Sequence, residues 1–243
     1  MSKALKIGTA LATPQRPLIA VPMLVADEAM FQAQINQFNQ CQADIIEWRI
    51  DAWHIFFDLI KIMPKLLAQF NKPVLVTYRT QAEGGQAVFD QQLYHQLNLL
   101  AVTNGASAID IEVDHLDMMT DICALAEQKQ VTVIGSKHCF DLEQPAVHTI
   151  LAEMVQLPVD VVKFAESVQT SAEAQTLLMV TQSVAAKTEK PLITIAMGVA
   201  GQRSRMEGYQ FGSQLTFGSL TETSAPGQLQ LFELLNLLGP SAN

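Results

Sequence analysis

The chain has 243 residues, 15 Lys+Arg against 24 Asp+Glu, a net charge of −9, and 49% hydrophobic against 16% charged residues. The pI near 4.9 argues against a nucleic-acid partner, which needs clustered positive charge, and the apolar content argues against a disordered chain. No apolar run approaches the ~18 residues of a membrane span, the N-terminus lacks a long apolar signal stretch, and three cysteines without a CxxC pair (Cys41, Cys123, Cys139) predict a reduced, cytoplasmic compartment.

The first residues, 6–13 followed by 14–17, predict a hairpin closing the bottom of whatever follows. Eight short apolar runs then recur: 18–24, 44–49, 73–78, 108–112, 131–136, 160–164, 191–197 and 214–218. Their starts lie roughly 23–35 residues apart, too far for hairpins and right for βα units. Most runs are continuously apolar, as strands buried on both faces of a parallel sheet are. Between them, 29–39, 90–104, 119–129, 145–157, 171–188 and 228–238 carry broad apolar stripes and predict helices. No linker, charge block or low-complexity tract interrupts the alternation. The reading is one α/β domain over residues 1–243, a (β/α)₈ TIM barrel. The competing doubly wound sheet would more often carry a glycine-rich turn after its first strand. Here that turn is Leu24-Val25-Ala26-Asp27-Glu28.

Active sites of such barrels lie at the C-terminal ends of the strands. Of five arginines, Arg49, Arg79, Arg203 and Arg205 fall at or just after a strand end. In an acidic chain such a cluster suits an anionic ligand, because guanidinium donates two parallel hydrogen bonds to carboxylate or phosphate. The alternative is structural ion pairing with Glu47, Asp51 and Glu112. Lys163 lies inside an apolar strand, where burial disfavours the ammonium form and favours a nucleophilic amine. A lysine paired with a neighbouring carboxylate such as Glu112 is the equal alternative. His138 ends the fifth strand, next to that of Lys163, and can act as general acid and base. Lys137, one residue earlier, faces the opposite way. Asp110, Glu112, Asp114, His115 and Asp117 raise a metal site, weakened by the lack of a matching set of histidines. The cysteines read as small buried hydrophobes, with Cys139 the one that could react.

These residues fall into a pattern. Glu47-Trp48-Arg49-Ile50-Asp51, Thr77-Tyr78-Arg79-Thr80 with Glu83-Gly84-Gly85, Ser136-Lys137-His138, Val162-Lys163-Phe164-Ala165, Met197-Gly198 with Ser204-Arg205, and Phe217-Gly218 with Ser224-Ala225-Pro226-Gly227-Gln228 together resemble the type I 3-dehydroquinate dehydratases. The order and spacing match from about Leu18 to Leu238. The resemblance implies a (β/α)₈ barrel, a homodimer, no metal or organic cofactor, and dehydration of 3-dehydroquinate to 3-dehydroshikimate in the shikimate pathway through a lysine Schiff base. It implies Lys163 as the Schiff-base lysine, His138 as general acid/base and Glu83 as the carboxylate orienting that histidine. Glu47, Arg49 and Arg79, with Trp48 between them, become contacts for the hydroxyl side of the substrate. Arg205, Ser224 and Gln228 become the carboxylate-binding set, and residues 217–227 the mobile lid.

The chain departs from the family pattern at Cys139, where an acid or amide is common. It departs again at Ile195, in place of a methionine found in some members, and at Pro22, where some have a substrate-contacting serine. Two rival functions use the same residues. A Schiff-base aldolase would share the lysine but would need a phosphate site after the seventh and eighth strands, which Gly198 and Gly201 only weakly allow. A binding module for a carboxylic acid would have no need of both Lys163 and His138.

Overall fold

The computed structural model describes residues 2–140, 147–220 and 227–240. Two short strands, β1 (Lys6–Ile7) and β2 (Ala10–Leu11), form the antiparallel hairpin expected at the N-terminus. Eight parallel strands follow: β3 (Leu18–Leu24), β4 (Ile45–Arg49), β5 (Val74–Thr77), β6 (Ala108–Glu112), β7 (Thr132–Cys139), β8 (Val161–Ser167), β9 (Leu192–Met197) and β10 (Leu215–Ser219). They pair in sequence order, and β10 returns to pair with β3, Leu215 beside Leu18. The last seam, β9 to β10, is held at its base by the Leu192–Ser213 bridge and the Gln214 N–H donated to the Leu192 carbonyl at 2.8 Å. Above that point the two-residue β11 (Leu229–Gln230) lies along the upper end of β10. The result is the (β/α)₈ barrel that the strand spacing predicts.

The helices between strands are α1 (Glu28–Gln40), α2 (Phe56–Leu67), α3 (Gln91–Thr103), α4 (Thr120–Lys129), α5 (Val147–Met154), α6 (Ser171–Ala185), α7 (Gln202–Glu207) and α8 (Leu231–Leu238). Their starts follow capping chemistry. Asp27 and Asp90 accept from the N–H groups of Met30 and Leu93, and Thr170 with Glu173 forms a reciprocal capping box. Two helices fall outside the six read from apolar stripes. α2 carries Pro64 in its interior, where proline removes a backbone bond; four buried residues, Leu59, Met63, Leu66 and Leu67, hold it in place. α7 is six residues long and mostly polar, too short for a stripe to show.

Alternation along each strand divides the molecule into two apolar regions. Outward residues such as Ile19, Val21, Ile46, Val76, Ile109, Val133 and Phe164 pack against the helices. Inward residues at the lower ends, Leu18, Ile45, Leu75, Ala108, Ile134, Val161, Ile193 and Leu215, fill the barrel floor together with Leu5, Ile7, Ala10 and Ala12 of the hairpin segment. The next inward positions change character. Two residues above Ile45, Leu75, Ala108, Ile134 and Val161 stand Glu47, Thr77, Asp110, Ser136 and Lys163, all buried. The sequence builds an apolar plug and sets a polar layer on it.

Candidate active site

Lys163 and Ser136 are register partners across β8 and β7, and His138 pairs with Ala165 one inward step higher. Both functional side chains therefore enter the same cavity, His138 nearer the mouth. The space it encloses, counted together with its open mouth, is about 670 Å³. Glu47, Arg49, Arg79, Glu83, His138, Lys163, Arg205 and Gln228 line it, with Ala165, Ile195, Met197 and Phe217 as an apolar wall.

The Lys163 amine is buried and donates to Asp110 Oδ2 at 2.9 Å and Glu47 Oε1 at 3.4 Å, and it lies 4.8 Å from the centre of the Phe217 ring. The carboxylate partner anticipated for it, Glu112, is elsewhere. Glu112 Oε1 accepts from Arg79 and from the Thr80 N–H, and Oε2 accepts from the Thr80 hydroxyl. Both carboxylates face inward, and height explains the exchange: Asp110 is level with Thr77 and Ile134 near the barrel centre, and Glu112 is one inward step higher.

Arg79 is the hub of the polar layer. One of its terminal nitrogens donates to Glu83 Oε2, Glu112 Oε1 and Ser136 Oγ, and the other donates to Asp110 Oδ1 at 2.7 Å. Although burial opposes its charge, Asp110, Glu83 and Glu112 hold the guanidinium firmly protonated. Arg79 lines the cavity as expected, but its donors are largely engaged by protein carboxylates. Arg49 is gripped bidentately by Asp51, with both bonds at 2.8 Å, and Asp51 Oδ2 also accepts the Gln86 N–H. The structural pairing weighed for these arginines is thus real for Arg49 and Arg79, and it fixes them at the cavity.

His138 Nδ1 lies 2.9 Å from Glu83 Oε2. Burial, then Arg79 and Lys163, push the imidazole well below its usual range, so the free ring is neutral. Burial also lifts the Glu83 carboxyl to about 8, against the pull of Arg79. The two groups share one hydrogen bond. With the proton on Nδ1, the ring donates to Glu83 and presents Nε2 as a base. The loop that brings Glu83 there is tight: a Cβ on Gly85 would lie 2.0 Å from the Arg79 carbonyl oxygen. Glycine is thus required where the chain folds back after Glu83.

Arg205, on α7, is buried and lines the cavity. Desolvation lowers its guanidinium to about 10. Gln228 reaches the cavity because Gly227, at φ +72°, lies against the end of β9; a Cβ there would sit 2.1 Å from the Gly198 carbonyl oxygen. Ser224 lies outside the described residues, as does most of the segment expected to form the lid.

Three sequence expectations are corrected. Trp48 is fully buried outside the barrel, with its ring against Phe31, Trp53 and Phe70 at 5.4–6.3 Å between centres. It cannot touch a ligand in the cavity, because Glu47 and Arg49 on either side point inward. Arg203 also leaves the cluster, pairing on the exterior with Glu207 and Gln175. Cys139 faces the outer core and burial raises its thiol pKa, the opposite of activation. Lys137 points away from the cavity, onto Asp114 at 2.8 Å. The acidic group after β6 is dispersed, with His115 stacked on Phe89 at 3.7 Å. Among the described residues no group of three or more His, Cys, Asp or Glu is placed to hold a metal ion. Two residues of the site escape the sequence reading. Asp110, bonded to Lys163, reads there only as a metal ligand, and Phe140, half exposed with its ring over Gly84 at the cavity, carries no signal beyond following His138 by two.

A family model for type I 3-dehydroquinase matches residues 19–242. The chain is 33% identical over 237 residues to a 3-dehydroquinate dehydratase of Listeria monocytogenes serotype 4b, and 34% identical over 233 residues to one of Clostridium kluyveri, with 91% of each chain covered in both cases. The fold is similar to the crystal structure of type I 3-dehydroquinate dehydratase from Clostridium difficile with covalently modified comenic acid. There the identity is 27% and the TM-score 0.89, covering 98% of this chain and 97% of that one.

Proposed function

The chain belongs to the type I 3-dehydroquinase family, and on that premise we propose that it is a hydro-lyase converting 3-dehydroquinate to 3-dehydroshikimate through a Schiff base on Lys163, in the shikimate pathway. The observation that carries this reading is the placement of a buried amine and a neutral, carboxylate-oriented imidazole on adjacent strands of one cavity.

A proton alpha to a ketone is too weakly acidic for an unaided imidazole. The Lys163 amine attacks the ring ketone to give a carbinolamine, which takes up one proton and loses water to leave an iminium ion, and this serves as an electron sink. His138 then removes the C2 proton through Nε2, leaving an enamine, and Glu83 faces the imidazolium that forms. The imidazolium returns its proton to the departing C1 hydroxyl, which leaves as water. A further water hydrolyses the conjugated iminium and frees the amine. The iminium makes a metal or organic cofactor unnecessary for this route.

Arg205 and Gln228 bind the substrate carboxylate in this reading, with Ser224 as third partner. Glu47 and Arg49 meet the hydroxyl side, with Arg79 behind them, and the arrangement turns the C2 proton toward His138. Family membership also supports a homodimer of single-domain protomers, testable by sedimentation, and a cytoplasmic setting.

The decisive assay is turnover of dehydroquinate, read as rising ultraviolet absorbance of the conjugated product. Absence of that absorbance with folded protein overturns the proposal, and cleavage of a C–C bond instead favours an aldolase.

A further inference from the structure

We propose that Asp110 is the counter-ion of the Schiff-base nitrogen, the group that holds the positive charge on Lys163 Nζ before and after imine formation. The inference rests on the lysine-imine reading above and adds a residue that this reading does not use.

The geometry is specific. Asp110 is fully buried, and its two oxygens have separate tasks. Oδ1 accepts from Arg79 at 2.7 Å and from the Ser136 hydroxyl at 2.5 Å. Oδ2 accepts from the Lys163 amine at 2.9 Å. Glu47 is the only other carboxylate on the amine among the described residues. It stands farther away, at 3.4 Å, and its contacting oxygen also accepts from Thr77. Arg79 and Lys163 hold the Asp110 carboxyl well below the usual carboxylate range in spite of its burial. Asp110 is therefore a fixed negative charge rather than a proton acceptor.

The charge balance of the reaction gives that fixed charge a purpose. Condensation of the ammonium with a ketone yields an iminium and one water, so nitrogen keeps its single positive charge. Removal of the C2 proton then neutralises the nitrogen as an enamine and places the charge on His138. Departure of water returns it to the nitrogen. The positive charge alternates between two nitrogens, and each faces a carboxylate, Asp110 at Lys163 and Glu83 at His138. Those two carboxylates share the Arg79 guanidinium. Arg79 thus bridges the two acids while the mobile charge passes between their partners.

The test combines a substrate-free and a substrate-dependent measurement on Asp110→Asn, which keeps the shape and removes the charge. Competitive acetylation of Lys163 without substrate, followed by peptide mass spectrometry, should find the variant's reactivity profile raised about threefold or more, since the amine has lost the carboxylate that holds it. Borohydride trapping with dehydroquinate should slow about tenfold or more, with kcat falling further than KM rises. A profile and a trapping rate equal to the parent's overturn the role of Asp110 while leaving the imine reading intact. A parent that yields no adduct overturns both. Should Asp110→Asn not fold, the crystal structure of the reduced parent adduct decides: the nitrogen should lie within about 3.2 Å of Asp110 Oδ2. A nitrogen turned instead to Glu47 overturns the proposal.

Discussion

Ser136 and Lys163 lie side by side in the register of β7 and β8, and this pairing decides which histidine face and which lysine enter the cavity. Side chains alternate along a strand, so a slip of one residue in β7 would turn His138 outward and Lys137 inward. The observed register leaves Lys137 on Asp114 and Lys163 on Asp110. Borohydride added with dehydroquinate should therefore inactivate the protein and label only the peptide holding Lys163. Lys163→Ala should abolish the label and Lys137→Ala should retain it. A label on Lys137 would overturn the mechanism.

His138→Ala should lower turnover by at least ~10²-fold, the lower end of general acid–base contributions. It should still form the trapped imine, because the amine is untouched. Glu83→Ala should lose less, through a misoriented imidazole. Near-normal turnover in His138→Ala would remove the histidine from the chemistry.

Glu83 also sets a pH dependence of stability. Its carboxyl is raised to about 8 in the folded protein against an ordinary 4.5, so between those values the folded state holds a proton that the unfolded chain has released. The stabilisation from this group is complete below 4.5 and is lost as pH rises through about 8. Replacing Glu83 by Gln removes this titration. The melting temperature of Glu83→Gln relative to the parent should thus rise from pH 5 to pH 9, and a flat or falling difference would contradict the burial argument.

Arg205→Ala should weaken substrate binding by about 1.5–3 kcal/mol, the scale of a charge-assisted hydrogen bond. Arg205 is buried at the cavity, and desolvation lowers its guanidinium to about 10. Unchanged KM and kcat would remove it from the binding set.

Trp48 carries the opposite expectation. Trp48→Ala should cost about 3–5 kcal/mol of stability in denaturant unfolding, as large-to-small changes in aromatic cores do. Trp48→Phe should keep the parent KM. A raised KM with unchanged stability would put the indole back at the substrate.

The strands were legible because both barrel faces are apolar at the floor, so each run reads as continuous. The charged residues were legible because they interrupt those runs near their ends. Strand parity turns Lys137 away, and the same rule applied to Glu47-Trp48-Arg49 turns Trp48 outward; that signal is present in the sequence. The choice between Asp110 and Glu112 as partner of Lys163 was not. It depends on the stagger between β6, β7 and β8, which no local pattern encodes. The placement of Arg203 outside and Arg205 inside likewise follows from how a six-residue helix sits against β9.

The N-terminal hairpin has a consequence for traffic. Leu5, Ile7, Ala10 and Ala12 join the floor residues in one apolar plug, so the barrel is a cul-de-sac and not a corridor. In the proposed reaction the ketone arrives, and the waters and the product depart, through a single doorway, with Lys163 at its dead end. A lingering product molecule therefore bars the next arrival simply by standing in the way.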